Sequence, residues 1–367
     1  APISFNFKKI DLSNKTSLTE SEAVANYLIN TKSTNISTEP NVLTICFDIG
    51  GSTSDIIALT SLDGQNMAMV KQSSIRFAAQ RVAQATRYSK NFKQVIIDLL
   101  NKKNVKIEGL NKGENKYTQN TAPYYFEQVV DRLEENEFDD FYRELGTKCK
   151  EMVAVNLYVT GIIVFYAGQI AKKIKLELDR SPDKPQRWSS PEVILKFTGK
   201  GSRIMDWLAA INPGASQGYY FDLFIKGFGG IEEAKIHLGG KPEFVSRKDH
   251  NKDVKYEVAK GLAASAISKN LYVADNTSVP LELIGEEGFI IAKSDGSDIH
   301  LKSDDSITPE MIQNIGGKFL LQPQNVDIPC PRFAEFAQMY FQLATTHFDL
   351  KATKEDFING FKKMNIS

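Results

Sequence analysis

The chain has 367 residues, a length that predicts two or three domains. Hydrophobic residues make up 42% and charged residues 25%, which excludes wholesale disorder and fibrous structure. The 45 basic and 45 acidic residues cancel, so the composition argues against nucleic acid as a partner. Three widely spaced cysteines, Cys46, Cys149 and Cys330, exclude a disulfide framework and a CxxC zinc site and predict a cytoplasmic chain.

The first 40 residues are polar apart from a short predicted helix near 20–29, and Glu39-Pro40 ends this lead-in. Three strands are predicted next, over residues 41–48, 56–62 and 65–70. Two helical regions follow, at 75–103 and 124–145, with a loop rich in glycine and asparagine between them.

A long apolar helix is predicted at about 152–179, and its first twenty residues carry no charge. That length would span a bilayer. Asn156, Thr160 and Gln169 dilute its apolar character, which favours a buried core helix and argues against a membrane partner.

In the second half of the chain, some segments predict a helix or strand and others show no pattern. A buried strand at 192–198 and a helix at 202–210 are predicted, whereas 211–250 gives no clear pattern. A helix of small residues at 254–268 indicates close packing against another backbone. Beyond it we expect β structure over 271–303 and helices at about 308–315, 331–347 and 353–363.

The first informative motif is FDIGGSTSDI, residues 47–56, a strand that runs into a glycine pair. Without a Cβ, Gly50 and Gly51 let backbone N–H groups approach an anion closely, and Ser52 and Thr53 add hydroxyl donors. Asp48 and Asp55 place carboxylates beside the turn, where Mg²⁺ could offset phosphate charge. The alternative is a tight hairpin whose polar side chains only satisfy the turn.

The second motif is ILKFTGKGSRI, residues 194–204, a strand followed by a glycine turn and a helix. Gly199 and Gly201 permit close approach, the helix beginning near Ser202 offers its N–H groups, and Arg203 can stack on an aromatic base. Taken alone, it is more typical of an ordinary strand-to-helix connection.

Together with VAKGLAAS at 258–265 and SEAVANYLI at 21–29, these motifs resemble the second half of the actin, sugar-kinase and seventy-kilodalton heat-shock chaperone superfamily. All four occur in family order. The resemblance implies an α/β, ribonuclease H-like fold, with a mixed five-stranded sheet flanked by helices. It also implies an actin-like ATPase that binds ATP or ADP with Mg²⁺.

Residue by residue, the resemblance implies that Gly50, Gly51, Ser52 and Thr53 contact the terminal phosphates. It assigns Asp48 and Asp55 to hydrated Mg²⁺ or to the attacking water. Gly199 and Gly201 would lie against the nucleoside, Ser202 within hydrogen-bonding reach, and Arg203 on the adenine.

The chain also departs from the family pattern. Ser52 replaces a glycine, and Lys200 stands where a second glycine is expected, where it would either neutralise phosphate charge or obstruct the cleft. The family's first phosphate motif is absent. We therefore expect a fragment that supplies half of an interdomain cleft, whose partners are nucleotide and a missing N-terminal domain, with self-association or a client protein as further options.

The expected organisation has three parts: residues 1–40 as a lead-in, 41–268 as the actin-like domain with an insertion at about 70–150, and 269–367 as a C-terminal α+β extension. The alternative function is a scaffold or filament-forming protein with a decayed nucleotide site.

Two weaker hypotheses concern other chemistry. Residues 214–218 match the nucleophile-elbow pattern of hydrolases, but that motif needs a preceding strand. The four histidines show no i, i+4 pairing, which gives a metal site little support.

Overall fold

The computed structural model describes residues 20–30, 39, 41–61, 67–103, 110, 116–134, 137–180, 189–245, 257–265, 271–273, 289–292, 298–301 and 333–348. The helices in this part of the chain are α1 (Glu20–Asn30), α2 (Ala79–Ala85), α3 (Phe92–Lys103), α4 (Ala122–Val130), α5 (Phe138–Lys148), α6 (Lys150–Arg180), α7 (Arg203–Ile211), α8 (Pro213–Phe228), α9 (Ile231–His237), α10 (Glu257–Ser265) and α11 (Phe333–Phe348). The strands are β1 (Val42–Ile49), β2 (Ser54–Ser61), β3 (Met67–Ile75), β4 (Glu192–Thr198), β5 (Glu243–Val245), β6 (Leu271–Val273), β7 (Phe289–Ala292) and β8 (Asp298–Leu301).

A mixed sheet forms the centre of the molecule, with strand order β5-β4-β1-β2-β3-β6. The strands β1, β2 and β3 are antiparallel neighbours, whereas β4 runs parallel to β1 and β5 parallel to β4. This confirms the predicted mixed α/β sheet. The prediction of five strands was one short, because the three-residue β6 adds to the outer edge of β3. So short a strand carries too few residues to show a period in the sequence.

Side chains alternate between the two faces of the sheet, and each face is covered by helices. Ile45 and Phe47 of β1 belong to the larger hydrophobic core, which includes residues of α2 to α8 and α11. Cys46 points to the opposite face, where it packs with Val24 and Leu28 of α1. The helices α2 to α5, which precede α6 in the chain, therefore share the main core.

The long apolar helix α6 lies inside the protein. It is long and apolar enough to cross a membrane, but 89% of its most apolar 18-residue window is buried within the structure. A Cβ at Gly168 would overlap the carbonyl oxygen of Phe224 in α8, and one at Gly227 in α8 would overlap that of Phe165. The two backbones therefore touch, and α6 is the predicted core helix.

The helix of small residues, α10, packs on α1. A Cβ at Gly261 would overlap the carbonyl oxygen of Ala23, so the two helices approach to backbone contact. The close packing predicted for this segment is confirmed, and its partner is the other helix named in the family resemblance.

The segment 211–250 that gave no clear pattern contains α8, α9 and β5. In the region 269–367, the described elements are β6, the hairpin β7–β8 and α11. Tyr340 of α11 donates a hydrogen bond to the carbonyl of Ala154 in α6 (2.8 Å). The helices predicted at 308–315 and 353–363 lie outside the described residues.

Candidate functional site

Two glycine turns meet at one edge of the sheet. The first turn, Gly50–Thr53, joins β1 to β2, and the second turn, Gly199–Ser202, joins β4 to α7. Since β1 and β4 are parallel, with Asp48 opposite Thr198, the chain leaves both strands at the same edge. The two turns are consequently neighbours although they lie far apart in the sequence.

Backbone contact between the turns explains the glycines of the second one. Gly199 has φ 77° and ψ 152°, a conformation that is essentially restricted to glycine. A Cβ there would overlap Asp48 Oδ1, and a Cβ at Gly201 would overlap the carbonyl oxygen of Gly50. Both glycines therefore make room for the first turn.

Gly51 in the first turn has the opposite environment. A Cβ at this position would meet no atom within 4 Å, and residues 51–53 are exposed. Within the described part of the chain, the N–H groups of Gly51, Ser52 and Thr53 donate to no backbone carbonyl, whereas the N–H of Gly50 closes the turn on Thr53 (3.0 Å). These exposed N–H groups can donate hydrogen bonds to an anion.

Both turns line one pocket of about 360 Å³. This volume lies in the range of small-molecule sites, roughly 300–1,000 Å³. Six of the residues proposed from the sequence line it: Gly50, Gly51, Ser52, Lys200, Gly201 and Arg203. The remaining five do not: Thr53, Gly199, Ser202, Asp48 and Asp55. Ser202 is buried, and its hydroxyl donates a hydrogen bond to the carbonyl of Gly199 (2.7 Å). Ser202 therefore stabilises the second turn.

Helices α2, α4, α5 and α7 form the rest of the pocket wall. Its apolar side includes Phe126, Tyr142 and Trp207, and the rings of Tyr142 and Trp207 stack with centroids 5.3 Å apart. Its rim carries the carboxylates Glu127 and Asp131. The sequence analysis missed these residues. Their amphipathic helices indicate a buried face but not what that face covers.

Three of the predicted ligand-binding side chains contact these same helices. The Ser52 hydroxyl donates to Gln80 Oε1 in α2 (3.1 Å). Lys200 Nζ forms an ion pair with Asp131 Oδ1, directly after α4. The Arg203 guanidinium lies 4.2 Å from the centre of the Phe138 ring in α5. The backbone N–H groups of Ala79 and Gln80 donate to the carbonyls of Gly50 and Gly51 (3.3 and 2.8 Å).

A cluster of carboxylates lies behind the turns, on the α1 and α10 side of the sheet. The pKa of Asp48 is raised from 3.8 to about 7, mainly by burial and in addition by the charges of Glu257, Asp55 and Glu20. Glu257 is buried at the start of α10, where its Oε2 accepts hydrogen bonds from the Thr198 hydroxyl and from the N–H of Gly199 (3.4 Å).

Glu257 was not proposed from the sequence. A charged residue at the start of a helix is ordinarily solvated, so no sequence signal marks it as a support of the second turn. Among the described residues, no three His, Cys, Asp or Glu side chains come close enough together to hold a metal ion by themselves.

The hydrolase hypothesis does not fit the structure. Ser216 lies in the first turns of α8, it is buried, and helix α7 rather than a strand precedes it. A nucleophile elbow requires an exposed serine on a strand-to-helix turn, so this motif is coincidental.

Comparison with known proteins gives no family assignment. No family model matches the chain, and no curated protein matches it. Among solved structures it is similar to the archaeal actin homologue Ta0583, with 13% identity, 67% of this chain and 53% of that chain covered, and a TM-score of 0.28. A second structure of Ta0583 gives 12% identity, 67% and 54% coverage, and a TM-score of 0.26.

The chain is also similar to a structure of the PilM-PilN type IV pilus biogenesis complex, with 14% identity, 68% and 52% coverage, and a TM-score of 0.27. The chain spans about half the length of these solved proteins. Because the TM-scores are low, the fold class rests on the strand order and pairing described above.

Proposed function

We propose that this chain is the nucleotide-binding half of an ATPase of the actin and heat-shock-chaperone type, with ATP or ADP held in the pocket between the glycine turns. One observation carries the proposal: the two turns, distant in the sequence, touch each other and line a single pocket of ligand size. A connection made only to reverse the chain would need neither the contact nor the pocket.

The residues of the first turn are suited to phosphate. Its residues Gly51, Ser52 and Thr53 are exposed, and a Cβ at Gly51 would meet no atom within 4 Å. From the second turn, Lys200 offers a cation and Arg203 a planar guanidinium that can stack on a base. In this assignment the pocket binds phosphate at the turns and the base near α7.

Asp48 and Asp55 face each other across β1 and β2 and are the candidates to hold Mg²⁺. Their number and chemistry suit this ion, since Mg²⁺ takes one or two carboxylates together with phosphates and water. Neither side chain lines the pocket, so water would have to bridge them to an ion at the phosphates. When bound, the ion would neutralise phosphate charge. Asp48, with its pKa near 7, can take up or release a proton at neutral pH, which suits a residue that orients a water molecule.

In the proposed activity, hydrolysis is slow and is coupled to closure of a cleft between this chain and a second domain. The contribution of this chain is positioning: the turns orient the phosphates, and the basic residues offset their charge.

The test is Mg-ATP and Mg-ADP titration, followed calorimetrically and by fluorescence of Trp207, which lines the pocket. A Trp188→Phe background leaves Trp207 as the single tryptophan. We expect saturable binding that Gly51→Asp weakens at least about tenfold, because the new carboxylate faces the phosphates.

Gly214→Asp is the matched control. Gly214 is also exposed with no atom near its Cβ position, but it lies in α8 outside the pocket. Binding should survive this change, and both variants should melt within a few degrees of the parent. Equal binding by parent and Gly51→Asp would contradict the assignment of the first turn to phosphate.

The second candidate function is a scaffold that keeps the fold without using a nucleotide. The ion pair of Lys200 with Asp131 favours it, because this lysine already has an anionic partner within the chain. Absence of Mg-ATP binding by this chain together with its completing domain would support the scaffold.

A further inference from the structure

The contacts of Ser52, Lys200 and Arg203 share one origin. Each side chain is held by a group from the segment α2 to α5, which is called here the helical cover and comprises the described residues 79–103, 110, 116–134 and 137–148. All three side chains line the pocket on the side of the glycine turns. The helical cover thus contacts the same three side chains that are proposed to bind the ligand.

The groups of the helical cover match the chemistry of a nucleotide. The Asp131 carboxylate gives Lys200 an oxyanion partner, as a phosphate oxygen does. The Phe138 ring gives the Arg203 guanidinium an aromatic face, as a purine base does. These two contacts arise from different helices, so they are independent observations of the same arrangement.

We infer that the helical cover is an intramolecular competitor for the nucleotide, in which Asp131 takes the place of a phosphate and Phe138 the place of a base. This inference rests on the proposed function and specifies its regulation. Binding then exchanges partners: Lys200 leaves Asp131 for a phosphate, and Arg203 leaves Phe138 for the base.

The competition is weak enough to be reversed by a ligand. The side chains of Lys200 and Asp131 are 46% and 48% exposed, and ion pairs of such exposure contribute little. A triphosphate carries several charges and can replace a single carboxylate. Anything that draws α4 or α5 away from the turns raises the affinity, and contacts that hold them in place lower it.

Asp131→Asn tests the phosphate half of the exchange. It removes the negative charge and keeps the shape, so Lys200 is released, and we expect the dissociation constants of Mg-ATP and of inorganic tripolyphosphate to fall about two- to fivefold. The matched control is Glu127→Gln, which removes an equal charge from the same pocket. Glu127 lies in α4, the helix that Asp131 directly follows, and it forms no ion pair with Lys200 in the structure. Glu127→Gln should produce a smaller change.

Phe138→Leu tests the base half. It removes the ring beneath Arg203 and keeps an apolar side chain in the core, so affinity for ATP should rise while affinity for tripolyphosphate stays unchanged. Phe141→Leu is its control, because Phe141 is equally buried in α5, whereas the Arg203 guanidinium lies over the ring of Phe138. It controls for loss of packing, and it should leave both affinities unchanged.

The outcomes separate this inference from the proposed function. If the parent chain binds Mg-ATP and Asp131→Asn binds it equally or more weakly, the competition is overturned while the nucleotide site stands. The same holds if Glu127→Gln strengthens binding as much as Asp131→Asn does. If neither the parent nor any variant binds ATP or tripolyphosphate at millimolar concentration, both the proposed function and the competition fail.

Discussion

The two glycine turns follow buried strands and look alike in the sequence, yet they have different environments. The first turn is exposed, and Gly51 faces open space. In the second turn, Gly201 and Ser202 are buried, and Gly199 has a positive φ. A glycine pair after a strand can therefore serve two physical purposes: the first turn leaves space for a ligand, and the second leaves space for the first.

Among the substitutions that test the difference between the two turns, Gly199→Ala is expected to cause the largest loss of stability. An alanine would have to adopt a backbone conformation restricted to glycine, and its Cβ would overlap Asp48 Oδ1 and lie 2.6 Å from the carbonyl oxygen of Ile49. Strain and overpacking together should lower the free energy of unfolding by about 3 kcal/mol. Urea denaturation measures this loss, and an unchanged midpoint would contradict the described turn.

Gly201→Ala is expected to cost about 2 kcal/mol, because its Cβ meets the backbone oxygens of Gly50 and Ile49, which cannot rotate away. Gly51→Ala is the control from the first turn, where a Cβ meets nothing, and its effect should stay within about 0.5 kcal/mol. Equal losses of unfolding free energy for Gly201→Ala and Gly51→Ala would contradict the difference between the two turns.

Asp48 lies between the turns, and its titration provides a pH-dependent test. Because the folded protein holds its pKa at about 7 instead of 3.8, the folded state binds more protons than the unfolded state between these values. Its contribution to stability therefore falls as the pH rises from about 4 to about 7.

Asp48→Asn removes this dependence. The variant should become more stable relative to the parent as the pH rises, by up to about 1 kcal/mol per pH unit. Urea denaturation at a series of pH values measures the difference, and parallel curves for parent and variant would rule out the raised pKa.

A smaller loss than that of the second-turn glycines is expected for Glu257→Gln, which weakens the hydrogen bonds that Glu257 accepts from Thr198 and Gly199. Glutamine keeps an acceptor for Thr198 but loses the charge, so the free energy of unfolding should fall by about 1 kcal/mol. Removing the charge also lowers the pKa of Asp48, which carbon-13 NMR of the carboxyl group can follow. A carboxyl titration that does not move would show that the two groups are not coupled.

Much of the fold could be predicted from the residues. The strands β1 and β4 are short apolar runs bounded by glycine or proline, and the small residues of α10 indicated the contact that Gly261 makes with Ala23. The segment that contains α8 resisted prediction, because α8 is apolar on several sides and has no clear period.

Six of the eleven residues proposed for the site line its pocket, since a motif at a strand end identifies the edge of the sheet. The opposite wall could not be predicted. Nothing in the sequence of α4 or α5 indicates that Asp131 reaches Lys200, or that Phe138 lies on Arg203, because both contacts depend on how distant helices pack.

The sequence by itself determined the strands β1 to β4, the two glycine turns and the close packing of α10, because these follow from local conformation and side-chain size. Only the tertiary structure decided that Gly199 and Gly201 make room for another turn, and that helices α2, α4 and α5 wall the pocket. The physical reason is that the parallel pairing of β1 with β4 brings together groups far apart in the chain, whereas composition and periodicity report only on neighbours.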